Sequence, residues 1–168
     1  MSQYFKQKKI TNIFILISII LIDQFSKGYF YSRYLKQNST NPIFEIIPNF
    51  LDLSLVKNFG IAFGIPINGL IFNLLTLILL TSLCLLIFSP KLKTIKQLNY
   101  IQSYTETYSL PLTLILSGGI GNIIDRITQG YVIDFISFSF WPAFNIADSA
   151  ISIGALILIY QLYKDKKI

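Results

Sequence analysis

The chain has no histidine, one cysteine and only eight acidic residues among 168. The missing histidine excludes metal sites built on imidazole. It also leaves any serine or cysteine nucleophile to find its base in a lysine. Cys84, being alone, cannot form a disulfide within the chain, and its place in the middle of an apolar run disfavours a reactive thiolate. Charge is scarce as well: 13% of residues are charged against 53% hydrophobic, with a mean hydropathy of +0.59. That composition lies outside the range of soluble domains and defines an integral membrane protein. There is no internal repeat and no low-complexity tract, and nothing calls for a cofactor.

What the chain has instead is long hydrophobic runs. Leu70 to Phe88 is uninterrupted and of the length that crosses about 30 Å of hydrocarbon. Ile10 to Ile22 is shorter and stops at Asp23. Behind Lys6, Lys8 and Lys9 it also has the pattern of a cleavable leader, but no small-residue cleavage site follows it. Four spans are expected, at about 10–28, 70–88, 108–125 and 144–163, within a single membrane-embedded domain covering 1–168. In that arrangement nine lysines, at 6, 8, 9, 91, 93, 96, 164, 166 and 167, share one side, and Lys27, Arg33, Lys36, Lys57 and Arg126 share the other. The bias places both termini and the middle connector, 89–107, in the cytoplasm. Six of the eight acids fall on the opposite side, so the net charge of +6 reports topology and requires no nucleic-acid partner.

The expected fold class is an all-α integral membrane protein of four transmembrane helices with a small extracytoplasmic β element and a short interfacial helix. The extracytoplasmic loop, 29–68, opens with Tyr29, Phe30, Tyr31 and Tyr34, aromatics suited to the headgroup level. Ile43 to Ile47 and Phe50 to Val56, separated by Pro48 and Asn49, predict a strand pair, because Leu51, Leu53 and Leu55 alternate with polar residues. Asn58 to Gly64 follows, with small residues that let backbone approach closely and pair with an extended peptide. Gly118, Gly119 and Gly121, like Ala150 and Gly154, mark close helix packing.

The chemistry rests on carboxylates. Asp125, Asp134 and Asp148 crowd the gap between the last two spans. A charge at the centre of a bilayer helix costs roughly 2.5 to 3.5 kcal/mol, and less toward the rim, so three acids there need a reason. Two aspartates held close cannot both ionise; one then deprotonates water while the other protonates a substrate carbonyl. Asp134, just past the third span, and Asp148, at the start of the fourth, reach the same boundary. Structural readings stand beside this one. Asn145 and Asp148 have the spacing of a helix N-cap with an acid at its third position. Asp125 beside Arg126 reads as an ion-paired structural carboxylate, Asp23 with Lys27 as an i, i+4 pair, and Asn58 as either a turn residue or a substrate contact.

Taken together, Asp23 with Lys27, Asn58, Gly60, Ala62, Phe63 and Gly64, Gly118, Gly119, Gly121, Asn122, Asp125 and Arg126, Gly130, Val132, Asp134 and Phe135, and Phe144, Asn145, Ala147 and Asp148 resemble the sequence blocks of the lipoprotein signal peptidases, the signal peptidase II family. The resemblance runs the whole chain in order. It implies an intramembrane aspartyl endopeptidase of the bacterial cell membrane that cuts prolipoproteins immediately before a cysteine carrying diacylglycerol. By motif, Asp134 and Asp148 match the catalytic pair. Asn58, Gly60, Asn122, Arg126 and Asn145 match residues lining or flanking the site, with Asp23, Lys27 and Asp125 in support. The implied partners are the lipidated precursors and membrane lipids, with the enzyme a monomer free of metal. The stretch from Asp134 to Asp148 is shorter than in many members.

Two other classes fit the composition. A small transporter or ion-conducting subunit uses intramembrane acids as a relay, but the second and fourth spans carry no ionisable group in their interiors. A non-catalytic assembly or lipid-binding protein would use the same acids only as caps and ion-pair partners.

Overall fold

A computed structural model of the chain describes residues 2–38, 42–60, 69–88 and 107–165. The elements run in the order α1 (Ser2–Lys36), β1 (Phe44–Ile47), β2 (Leu51–Asn58), α2 (Gly69–Phe88), α3 (Ser109–Gln129), β3 (Val132–Phe138), β4 (Trp141–Phe144) and α4 (Ile146–Asp165). Among the described residues three helices, α1 from Gln7 on, α3 and α4, are long and apolar enough to cross a membrane; within α2, Asn73–Leu85 is a shorter apolar helix. The middle connector at 89–106 and the segment 61–68, which holds Ala62, Phe63 and Gly64, lie outside the described residues.

Helix α3 is the hub and packs against α1, α2 and α4. Leu80 and Ile87 of α2 meet Leu116 and Ile123 of α3 in one apolar core. The close approach of α3 and α4 depends on glycine. A methyl group on Gly118 would run into the Ala147 carbonyl, and one on Gly154 would sit 2.8 Å from the Pro111 carbonyl oxygen. Outward-facing side chains such as Phe14, Leu79 and Leu156 are exposed and apolar, as lipid-facing flanks must be.

Helix α1 departs from the expected short interfacial helix. Residues 29–36 are its last turns and continue the span without a break. The expectation treated Asp23 and Lys27 as a polar end emerging at an interface. Both are instead buried against α3 and satisfied there, so the helix has no reason to stop. It ends just before Asn38, whose φ of 53° is a left-handed conformation that asparagine tolerates.

The predicted strand pair is present as β1 and β2, joined through Asn49 at φ 58°. It belongs to a larger four-stranded antiparallel sheet in the order β1-β2-β3-β4, whose second hairpin was not anticipated. Asn58 therefore pairs with Val132 inside the sheet, so this end of the 58–64 segment is already hydrogen-bonded to β3. Only two residues link α3 to β3. Gly130, at φ 79°, takes the left-handed turn and donates its N–H to the Arg126 carbonyl at 3.1 Å. On the other side Asn145 alone separates β4 from α4. One sheet face packs Leu55 and Ile133 against Phe30, Tyr31 and Tyr34 of α1, and Phe135 stacks on Phe30 at 4.5 Å. The side chain of Asp134, between Ile133 and Phe135 in the strand, takes the opposite face.

Candidate active site

The short links at both ends of the second hairpin bring Asp134 and Asp148 to the junction of sheet and helices. Asp134 is 2% exposed, whereas Asp148 is only partly buried. Asp134 accepts the Asn145 side-chain amide on Oδ1 at 2.8 Å and the Asn58 amide on Oδ2 at 3.0 Å. Asp148 accepts the Asn122 amide on Oδ1 at 2.7 Å and the Asn145 backbone N–H on Oδ2 at 3.3 Å. Each of the four carboxylate oxygens thus has an N–H donor, and Asn145 touches both acids.

Two relays fix which way the carboxamides point. Lys27, which can only donate, gives a hydrogen bond to Asn122 Oδ1 at 3.1 Å, and that turns the Asn122 amide toward Asp148. On the other flank Arg126 donates to the Gly60 carbonyl at 3.1 Å, the Gly60 N–H donates to Asn58 Oδ1 at 3.0 Å, and the Asn58 amide then faces Asp134. Asn58 is consequently both the turn residue and the site residue.

Beneath the pair lies a buried ionic cluster. Lys27 Nζ sits 2.7 Å from Asp23 and 3.0 Å from Asp125. Asp125 also accepts the Ile133 N–H at 3.1 Å, which anchors the strand residue next to Asp134. Asp23 accepts the Ala147 N–H at 2.9 Å, which anchors the helix residue next to Asp148. A lysine and two carboxylates buried together hold only with such extra hydrogen bonds. The ten residues singled out from the sequence, Asp23, Lys27, Asn58, Gly60, Asn122, Asp125, Arg126, Asp134, Asn145 and Asp148, fall in one continuous bonded network. The proposed cap also forms: Asn145 Oδ1 accepts the Asp148 N–H at 2.8 Å.

One member of the network escaped the sequence reading. Gln24 donates its amide to Asp125 Oδ1, the Gly121 carbonyl and Asp23 Oδ2 at 3.0, 3.1 and 3.2 Å. Its signal was a polar amide between Asp23 and Lys27, directly after the apolar run that ends at Ile22.

Burial, and then the neighbouring Asp148 charge, push Asp134 up to about 7, against the opposing pull of the Asn58 amide, Lys27 and the Asn145 amide. Asp134 is therefore able to hold a proton near neutrality beside a more accessible carboxylate, the arrangement acid and base catalysis needs. Among the described residues no group of three or more Cys, Asp or Glu could hold a metal ion.

Helices long and apolar enough to cross a membrane, a sheet at one end of them and paired carboxylates at the junction give the chain the build of a membrane protein with a polar cluster at one end of its helices. The family model described as signal peptidase (SPase) II matches residues 15–164. A lipoprotein signal peptidase of Caldanaerobacter subterraneus subsp. tengcongensis is 39% identical over 151 residues, spanning 89% of this chain and 94% of that protein. One from Streptococcus agalactiae serotype Ia is 38% identical over 161 residues, spanning 95% and 96%. A solved bacterial membrane enzyme superposes with a TM-score of 0.71 at 31% identity, covering 93% of this chain and 89% of that one. The chain belongs to the signal peptidase II family, a family of proteases.

Proposed function

We propose that this protein is an aspartic endopeptidase that removes the signal peptide from prolipoproteins, cutting immediately before the diacylglyceryl-modified cysteine. The observation that carries the reading is the placement of Asp134 and Asp148 on either side of Asn145, each with two N–H donors and one more buried than the other. Asp148, the more accessible, takes a proton from water. Asp134, protonated, gives its proton to the scissile carbonyl as the water oxygen bonds to carbon. Asp148 then passes the acquired proton to the leaving cysteine nitrogen, the C–N bond breaks, and Asp134 recovers its proton from the collapsing intermediate. Asn58, Asn122, Arg126 and Asn145 hold the pair, and Gly60 presents the backbone that links Arg126 to Asn58. Asp23, Lys27 and Asp125 form the support beneath them.

The proposed topology has α2 as a fourth span, both termini in the cytoplasm and the sheet outside, in a monomer that meets its lipidated substrate in the outer leaflet. Two contacts support it. Lys9 near the start of α1 donates to the Phe88 carbonyl at the end of α2 at 3.2 Å, and Tyr108 at the start of α3 bonds Asp165 at the end of α4 at 2.5 Å. These four ends lie together, opposite the sheet, and they carry the lysine-rich segments. The test is incubation of the purified protein in detergent with a precursor bearing diacylglyceryl-cysteine and with the same precursor unmodified. Release of the signal peptide from the lipidated form alone supports the reading; no release from either overturns it.

A further inference from the structure

We infer that Gln24 is a positioning residue for the carboxylate pair, acting as a second, neutral bridge between Asp23 and Asp125; this rests on the function proposed above. Around Gln24 stand Asp23 and Lys27 of α1 and Asp125 of α3, and beyond them Arg126 of α3, Asp134 of β3 and Asp148 of α4. Among the described residues Lys27 is the one cation ion-paired with the carboxylates of Asp23 and Asp125. One ammonium cannot saturate both, and Gln24 supplies the missing donors. Its amide nitrogen faces three oxygens, Asp125 Oδ1, Asp23 Oδ2 and the Gly121 carbonyl, all of which only accept, so the amide has one permitted orientation.

The consequence reaches the site through two backbone anchors. Asp125 holds the Ile133 N–H and Asp23 holds the Ala147 N–H, one residue from Asp134 and from Asp148 respectively. Both anchors come from carboxylates whose positions Gln24 sets. Gly121 lies in the same corner: a methyl group there would sit 2.7 Å from Asp23 Oδ2, so glycine is what lets this carboxylate approach α3 closely enough for the bridge. If the bridge is removed, both anchors loosen together. The spacing of the two acids, and not the binding of substrate, is what suffers.

The test uses the full-length protein and the lipidated precursor, with kcat and KM measured across pH for wild type, Gln24→Leu and Gln24→Glu. Gln24→Leu keeps the bulk and loses the donors; it is expected to lower kcat about tenfold or more at every pH with KM within about threefold, the pattern of a misplaced catalytic group. Gln24→Glu places a third carboxyl among acceptors. Its activity relative to wild type is expected to be depressed at about pH 8 and to recover several-fold toward about pH 5.5, where the neutral acid regains an O–H donor. A leucine variant with wild-type kcat, or a Glu-to-wild-type ratio flat with pH, overturns the inference. Hydrogen exchange of the Gln24 side-chain amide in the wild-type protein gives a reading that needs no folded variant. Protection supports the bridge, and exchange as fast as in free glutamine overturns it. If wild type does not cleave the precursor, the proposed function fails, while amide exchange still judges the bridge.

Discussion

Asn145 and Asp148 hold each other reciprocally: the Asn145 side-chain oxygen accepts the Asp148 N–H at 2.8 Å, and the Asp148 carboxylate accepts the Asn145 N–H at 3.3 Å. This is a helix cap, and it is built from a site residue and a proposed catalytic acid. Capping and catalysis are thus compatible uses of the same carboxylate, because the cap occupies Oδ2 while Oδ1 faces Asn122.

Asn145→Ala removes both roles at once, and two readouts tell them apart. Loss of the cap costs roughly 0.5 to 2 kcal/mol of stability. The same change also strips Asp134 of its 2.8 Å donor. Cleavage is expected to fall at least about tenfold in protein that remains folded, because the acid is no longer held in place. Thermal melting and the peptide-release assay, run on the same preparation, check this.

Asp134 makes stability depend on pH in an unusual direction. A carboxyl raised to about 7 in the folded protein binds its proton more tightly than in the unfolded chain. Its contribution is fully present below the unfolded value, near 4, and is lost as pH rises through about 7. Asp134→Asn removes this loss. Relative to wild type the variant is expected to gain stability as pH rises from about 4 to about 7, by at most about 4 kcal/mol over that window. Melting temperatures at several pH values measure the gain. In wild type the cleavage rate is expected to fall above about pH 7 as the proton is lost from the pair, which titrates as a unit.

Lys27→Met leaves the Asp23 and Asp125 carboxylates buried without their cation. Removing one partner of a buried ion pair costs about 3 to 5 kcal/mol. Adding Asp125→Asn is expected to restore part of the lost melting temperature, since one uncompensated charge disappears. A double mutant no more stable than Lys27→Met would refute the shared cluster.

Two adjacent glycines should respond differently to alanine. At Gly118 the new methyl meets the Ala147 carbonyl and lies 2.7 Å from Ile151 Cγ1, and the backbone there carries Asp148. Overpacking of this kind costs roughly 1 to 3 kcal/mol and displaces α4. At Gly119 the nearest atom is Leu80 Cδ2 at 2.5 Å, a side-chain end that can rotate away. Gly118→Ala is therefore expected to lower both melting temperature and cleavage well beyond Gly119→Ala.

Much of this architecture is visible in the chain, and the rest is hidden for identifiable reasons. Hydrophobic run length located α2, α3 and α4, and the Leu51, Leu53, Leu55 alternation located the first hairpin. The second hairpin left no such pattern. Ile133 and Phe135 pack against α1 while Val132 and Asp134 face the site, so all four are buried and no polar alternation remains. The length of α1 was equally obscure, because the groups that satisfy Asp23 and Lys27, at Asn122, Asp125 and Ala147, lie about a hundred residues away. The order of residues gives the members of the bonded network. Only the fold shows that Asp125 belongs to Lys27 and anchors β3.

The most direct measurement is signal-peptide release from a diacylglyceryl-modified precursor by purified wild type, Asp134→Asn and Asp148→Asn, each shown to be folded by its thermal transition. The carboxylate-pair account predicts turnover by wild type and a loss of roughly 10²- to 10⁴-fold in each variant. Turnover near the wild-type rate by either folded variant would contradict it.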